Sequence, residues 1–158
     1  MKSTYQDYYG FRDINADAVT TGKSFNLFGI SGRIEATGLG VFTCTKQLHK
    51  DPLIAKRLKI PLGLKDKKLI VQGFGNVGYW ASKYFIEEDA KLIEVAEIDG
   101  SIYNPEGIDY AELKWYINIH QGVKCFPGAE YYEKYDVIYI QAVVKISLLS
   151  DILMPAAL

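Results

Sequence analysis

The sequence predicts an α/β fold built on a mostly parallel, doubly wound sheet. Three observations carry this expectation. Lys68-Leu69-Ile70-Val71-Gln72 is a short apolar run of the kind buried in a parallel sheet. Gly73-Phe74-Gly75-Asn76-Val77-Gly78 follows it directly. A helical stripe and a second apolar run, Leu92-Ile93-Glu94-Val95-Ala96, complete a strand–helix–strand unit whose crossover should be right-handed.

From the N-terminus, residues 1 to 23 are mixed and aromatic, with turn formers at Gly10, Asp13, Asn15 and Gly22. Gly29, Gly32, Gly38 and Gly40 then crowd one short stretch, which turns sharply or lets a backbone or ligand come close. Val41 to Lys50 reads as a helix ended by Asp51-Pro52, since proline disfavours helix in the residue before it. In the helix after the glycine loop, Val77, Trp80, Ala81, Tyr84 and Phe85 form one apolar stripe that ends at Glu88, and Asp89-Ala90 turns the chain. Asn104-Pro105-Glu106-Gly107 is a turn, and Asp109 caps a helix from Ala111 to His120 that ends near Gly122. Val137 to Leu149 and Ile152 to Met154 are apolar and β-branched enough for strands. There are no repeats and no low-complexity linker.

The 158 residues suffice for one domain with a real core, and 49% apolar with 23% charged residues is ordinary for a soluble globular protein. A formal charge of -1 offers no basic field to nucleic acid or to an anionic membrane. Cys44 and Cys125 lack CxxC spacing and read as thiols in a reducing compartment, with His49 and His120 too scattered for a metal site. No signal peptide, transit peptide or spanning apolar stretch is visible, so a soluble intracellular protein is expected.

A lone GxGxxG is weak, but here the strand, the helix and a later acid surround it. Gly73 permits the tight turn, Gly75 clears space for a pyrophosphate, and Gly78 lets the helix pack closely. The helix N-terminus adds N–H groups and partial positive charge. Glu97, nineteen positions after Gly78, can accept hydrogen bonds from ribose hydroxyls and would repel a 2′-phosphate, favouring NAD over NADP; Asp99 could share that role. These features define a Rossmann-like, dinucleotide-binding domain. The competing readings are a ligand-free glycine turn and a solvated surface acid at Glu97.

Six ordered blocks extend the pattern: Asp13 to Ala16, Thr21 to Lys23, Gly32 to Val41, Gln72 to Gly78, Asp99 to Asp109, and Asp151 to Ala157. Together they resemble the hexameric glutamate dehydrogenases of the Glu/Leu/Phe/Val dehydrogenase superfamily, over residues 13 to 158. The resemblance implies that Arg33 lies near the substrate and that Thr37 contacts the nicotinamide carboxamide. It implies that Gly73, Phe74, Gly75, Asn76, Val77 and Gly78 hold the pyrophosphate, that Glu97 meets the ribose, and that Ala156 and Ala157 form a wall beside it. The implied reaction is reversible oxidative deamination of glutamate to 2-oxoglutarate and ammonium, with hydride passing to the nicotinamide, in a homo-oligomer of the mitochondrial matrix or cytoplasm. For Arg33, Thr37, Ala156 and Ala157 the plain alternatives are a salt-bridged arginine, a helix cap and ordinary core.

The chain also departs from that pattern. The family's substrate lysines and proton-transferring aspartate lie upstream of the Asp13 block, and no stretch here resembles them, so no catalytic residue is assigned. Residues 1 to 22 are expected to be a connector from a missing substrate domain, and 23 to 158 a partial dinucleotide-binding domain, incomplete at the C-terminus, with an uncovered sheet edge. Phe28-Gly29 stands where the family has two glycines, and Ala142 to Leu149 reads as extra and aggregation-liable. Two functions follow: a truncated glutamate dehydrogenase chain needing complementation, or a non-catalytic nucleotide-binding module.

Overall fold

A computed structural model describes residues 1–133 and 150–157, which fall into two compact units, Met1–Ala36 and Thr37–Leu158. The strands expected between Val137 and Leu149, and the extra stretch Ala142 to Leu149, lie outside the described residues.

The first unit contains helix α1 (Lys2–Tyr9) and two single 3-10 turns, Ala16–Ala18 and Phe25–Leu27. Residues 2 to 9 show no apolar stripe, so the sequence alone predicts no helix here. Polar tertiary contacts hold α1 instead. Lys2 is buried; its Nζ donates to the Leu27 carbonyl at 2.8 Å, pairs with Asp17 at 2.8 Å, and lies over the Phe28 ring. Gln6 donates to the same Asp17 carboxylate, Lys23 donates to the Asp17 carbonyl, and Tyr5 donates to Asp13. A lysine can be buried when both a carboxylate and a carbonyl answer its charge.

The second unit runs α2 (Ala36–Lys50), α3 (Pro52–Leu58), β1 (Lys68–Gln72), α4 (Asn76–Glu87), β2 (Lys91–Glu97), β3 (Gly100–Tyr103), α5 (Tyr110–His120), β4 (Glu130–Glu133) and β5 (Ile152–Pro155). The β1–α4–β2 unit stands where the sequence puts it. The first departure is at Asp51-Pro52, which ends α2 and also begins α3. The Asp51 carboxylate accepts from the Leu53 and Ile54 N–H groups, and proline occupies the first helical turn, where its missing N–H is harmless. Asp109 caps α5 as expected, accepting from Ala111 and Glu112 at 2.8 and 2.7 Å.

The sheet has five strands in the order β4-β3-β2-β1-β5. β1 pairs in parallel with β2 and β5, while β2–β3 and β3–β4 are antiparallel, so only β3 runs against the others. The sequence does not predict β3 (Gly-Ser-Ile-Tyr) or β4 (Glu-Tyr-Tyr-Glu), because neither short stretch is an apolar run of the kind that marks β1, β2 and β5. The main core lies on one face of the sheet. Leu69, Val71, Leu92, Val95 and Ile102 meet Phe42 of α2, Ala81 and Phe85 of α4, and Leu113 of α5 there. Ile70 and Ile93, with Tyr103, form a second, smaller buried cluster.

α2 begins five residues before the expected Val41, and Gly38 in its first turns serves as a packing contact. A Cβ at Gly38 would lie 2.7 Å from both the Ala81 nitrogen and the Trp80 Cβ. The bare backbone therefore lets α2 close onto α4, and Phe42 then packs against Tyr84 and Phe85 one turn later.

Candidate functional site

The strand order reverses at β1: the chain moves outward to β2 and β3 on one side and returns to place β5 on the other. In open α/β sheets, ligands occupy the crevice that forms beyond the carboxyl ends of the strands at such a point. The glycine loop leaves β1 there.

Two backbone bonds fix the loop. The Gly73 N–H donates to the Ala96 carbonyl of β2, and the Ala156 N–H donates to the Gln72 carbonyl of β1, both at 2.7 Å. Gly73 has φ +87°, a region that disfavours any side chain, and a Cβ there would lie 2.5 Å from the Ala157 Cβ. A Cβ at Gly78 would come within 2.0 Å of the Gly73 carbonyl oxygen, so the start of α4 rests directly on the loop. Gly75 differs from both. Its backbone is extended (φ -72°, ψ -150°), and a Cβ there meets nothing within 4 Å. The space beside Gly75 is open, at the N-terminus of α4, whose first-turn N–H groups have no acceptors within the helix.

Phe74 contributes its backbone and its ring separately. The ring is buried in the core and meets Tyr79 edge-on. The N–H donates to Glu97 Oε1, so the half-exposed Glu97 carboxylate ties the end of β2 to the loop after β1. One carboxylate oxygen is committed to this tether. Asp99, the suggested substitute for Glu97, points elsewhere: its Oδ2 accepts from the Val123 and Lys124 N–H groups at 2.9 and 3.3 Å. Gly122 admits this close approach, since a Cβ there would lie 2.3 Å from Asp99 Oδ2. Asp99 thus anchors the turn after α5.

Gly73, Phe74, Gly78, Glu97, Ala156 and Ala157 are therefore brought into one neighbourhood, with Gly75, Asn76 and Val77 at its open side. Thr37 is exposed in the first turn of α2, one residue before the α2–α4 contact. Arg33 belongs to the first unit. It is exposed and lines a cleft of about 260 Å³ with Thr20, Thr21, Lys23 and Phe28. Sequence reasoning missed the Phe74–Glu97 tether, because the spacing shows an acid near a loop but not which donor it meets.

Residues 29–158 match the family model described as Glutamate/Leucine/Phenylalanine/Valine dehydrogenase. The chain belongs to this family. The mitochondrial glutamate dehydrogenase of Dictyostelium discoideum is 38% identical to this dehydrogenase-family chain over all 158 residues, which span 30% of that protein. Among solved structures, glutamate dehydrogenase from Peptoniphilus asaccharolyticus superposes with a TM-score of 0.63 and 29% identity, over 99% of this chain and 32% of that one. The hetero-hexameric glutamate dehydrogenase of Thermus thermophilus, in its leucine-bound form, gives a TM-score of 0.58 and 30% identity, over 79% of this chain and 28% of that one. The family chain thus spans about a third of the length of these relatives. Among its described residues, no helix is long and apolar enough to cross a membrane, and no group of three His, Cys, Asp or Glu residues is placed to hold a metal.

Proposed function

We propose that this chain supplies the dinucleotide-binding part of a glutamate dehydrogenase-like enzyme, with NAD as the preferred cofactor. The observation that carries this reading is the open space at Gly75, at the N-terminus of α4 and beside Glu97. Gly73 and Gly78 are filled by neighbours and serve the fold, whereas no packing among the described residues requires a glycine at position 75. A pyrophosphate fits that vacancy and gains from the helix N-terminus. Asn76, Val77 and Gly78 would offer N–H groups to it, the free oxygen of Glu97 would accept from the adenosine ribose, and Ala156 and Ala157 would bound the other side. Thr37 would meet the carboxamide of the nicotinamide, which supplies hydride acceptance when bound. Arg33, beside Lys23 in a cleft with no acidic lining, suits a carboxylate of glutamate or 2-oxoglutarate.

This reading treats residues 1 to 22 as a connector toward a substrate domain, residues 23 to 158 as a partial dinucleotide-binding domain, and the sheet as one half of a doubly wound Rossmann-like architecture. It also carries over homo-oligomeric assembly. The second reading, a nucleotide-binding module without turnover, is favoured by the lack of any residue assigned to proton transfer.

NADH titration by fluorescence, on wild type and Gly75→Val, tests the cofactor site. Saturable binding abolished by the valine is expected, and equal affinities would reduce the loop to a structural turn. A glutamate-dependent NADH assay on the purified chain separates the two readings. No turnover is expected unless a substrate domain is supplied, and turnover abolished by Arg33→Ala would overturn that expectation.

A further inference from the structure

β2 carries a second acid, Glu94, on the face of the sheet away from α4. It pairs with Ile70, whereas the core residues Val71 and Val95 pair on the helical side. Glu94 is 1% exposed, and neither carboxylate oxygen has a hydrogen-bond partner among the described residues. Among the described residues, its neighbours in the sheet come from three strands. β1 supplies Ile70, and β3 supplies Tyr103 together with Ser101, which is fully buried and whose hydroxyl is equally without a partner. β4 supplies Tyr132, whose hydroxyl donates to Glu130 at 2.5 Å. No lysine or arginine among the described residues forms an ion pair with Glu94.

A carboxylate taken out of water needs a cation or several donors, and without them the neutral acid is the favoured form. We propose that Glu94 makes this sheet a proton-sensitive element: the buried, unpaired side chain is held as a neutral acid beside Ser101, and loss of its proton destabilises the fold. Burial pushes the Glu94 pKa up from 4.5 to about 7. Tyr132 stays neutral across this range, because its bond to Glu130 and its burial raise it to about 12.

The direction of the pH effect follows from which state holds the proton. Between the unfolded value near 4.5 and the folded value near 7, the folded chain binds the extra proton. Stability is therefore full below that window and falls as pH rises through it. The folded-to-unfolded ratio drops roughly tenfold per pH unit and then levels off.

The test is denaturant unfolding of the full chain from pH 5 to 8, for wild type and Glu94→Gln. A fall in wild type that is missing in the glutamine variant is expected; the same slope in both would overturn the proposal. The side-chain carboxyl carbon of Glu94, followed by NMR in the folded wild type, gives a reading that does not depend on the variant folding. A midpoint near 7 supports the proposal, and a midpoint in the ordinary carboxylate range ends it.

Discussion

The Phe74 N–H donates to Glu97 Oε1, so the acid proposed to choose the cofactor also holds the loop that would bind its phosphates. Substitution at position 97 therefore has two separable effects. Glu97→Ser removes both tether and charge. NAD affinity should fall about tenfold, since a hydrogen bond to a charged group contributes about 1.5–3 kcal/mol. The NAD to NADP preference should shrink roughly fivefold, the equivalent of about 1 kcal/mol of like-charge repulsion. Glu97→Gln keeps an acceptor for Phe74 and should lose only the preference. Isothermal titration with both cofactors checks this, and an unchanged ratio in the serine variant would leave Glu97 as a tether alone.

The three loop glycines should separate when each is replaced by alanine. Gly78→Ala drives a methyl into the Gly73 carbonyl, and Gly73→Ala adds a left-handed backbone to a contact with Ala157. Each should lower stability by about 1–3 kcal/mol, the range for overpacking and for strained backbone. Gly75→Ala should leave stability within about 0.5 kcal/mol, as substitutions into open space do, while weakening nucleotide binding. Thermal unfolding with and without NADH reads both properties, and a Gly75→Ala chain that unfolds early would contradict the open space described for that position.

At the α2–α4 contact, Gly38→Ala forces a methyl toward the Ala81 backbone nitrogen, which cannot rotate away. A loss of about 1–3 kcal/mol is expected despite alanine's better helix propensity. Gly40→Ala, where a Cβ meets nothing within 4 Å, should be neutral or stabilising and serves as the internal control. Denaturant midpoints of the two variants decide it.

Removal of the α5 cap by Asp109→Ala should cost about 1 kcal/mol, with Asp109→Asn retaining most of the stability. The same comparison at Asp51 tests whether α3 depends on its junction residue, and equal midpoints for alanine and asparagine at either site would show the cap bonds to be dispensable.

The β1–α4–β2 unit was legible because strand, glycine loop and stripe reinforce one another within thirty residues. The close packing at Gly78 was equally legible, since it rests on the local approach of α4 to the end of β1, whereas the contact of Gly73 with Ala157 comes from far along the chain. Contacts that a distant residue completes were not legible. α1 depends on Asp17 reaching Lys2, and the turn after α5 depends on Asp99, so neither leaves a periodic trace in its own segment. Asp51-Pro52 signals an end in the sequence, yet the same two residues that close one helix also suit the opening of the next. Glu94 looked like one polar residue in an apolar strand, and only the sheet register shows which face it occupies.

The wall of the site arrives from far along the chain. β1 and β5 pair through Leu69–Ile152 to Gln72–Pro155, and Asp151 accepts from the Lys68 N–H across a separation of 83 positions. By contrast, β2 and β3 form a hairpin whose register pairs Glu97 with Gly100. Loop-closure entropy grows with separation, so the hairpin and the β1–α4–β2 crossover are expected to order before β5 docks. During synthesis the glycine loop would then exist without Ala156 and Ala157 beside it, and the proposed nucleotide site would be complete only once β5 had docked. In pulsed hydrogen exchange, protection of the Ala156 amide should lag that of Gly73, whose acceptor lies on the neighbouring β2.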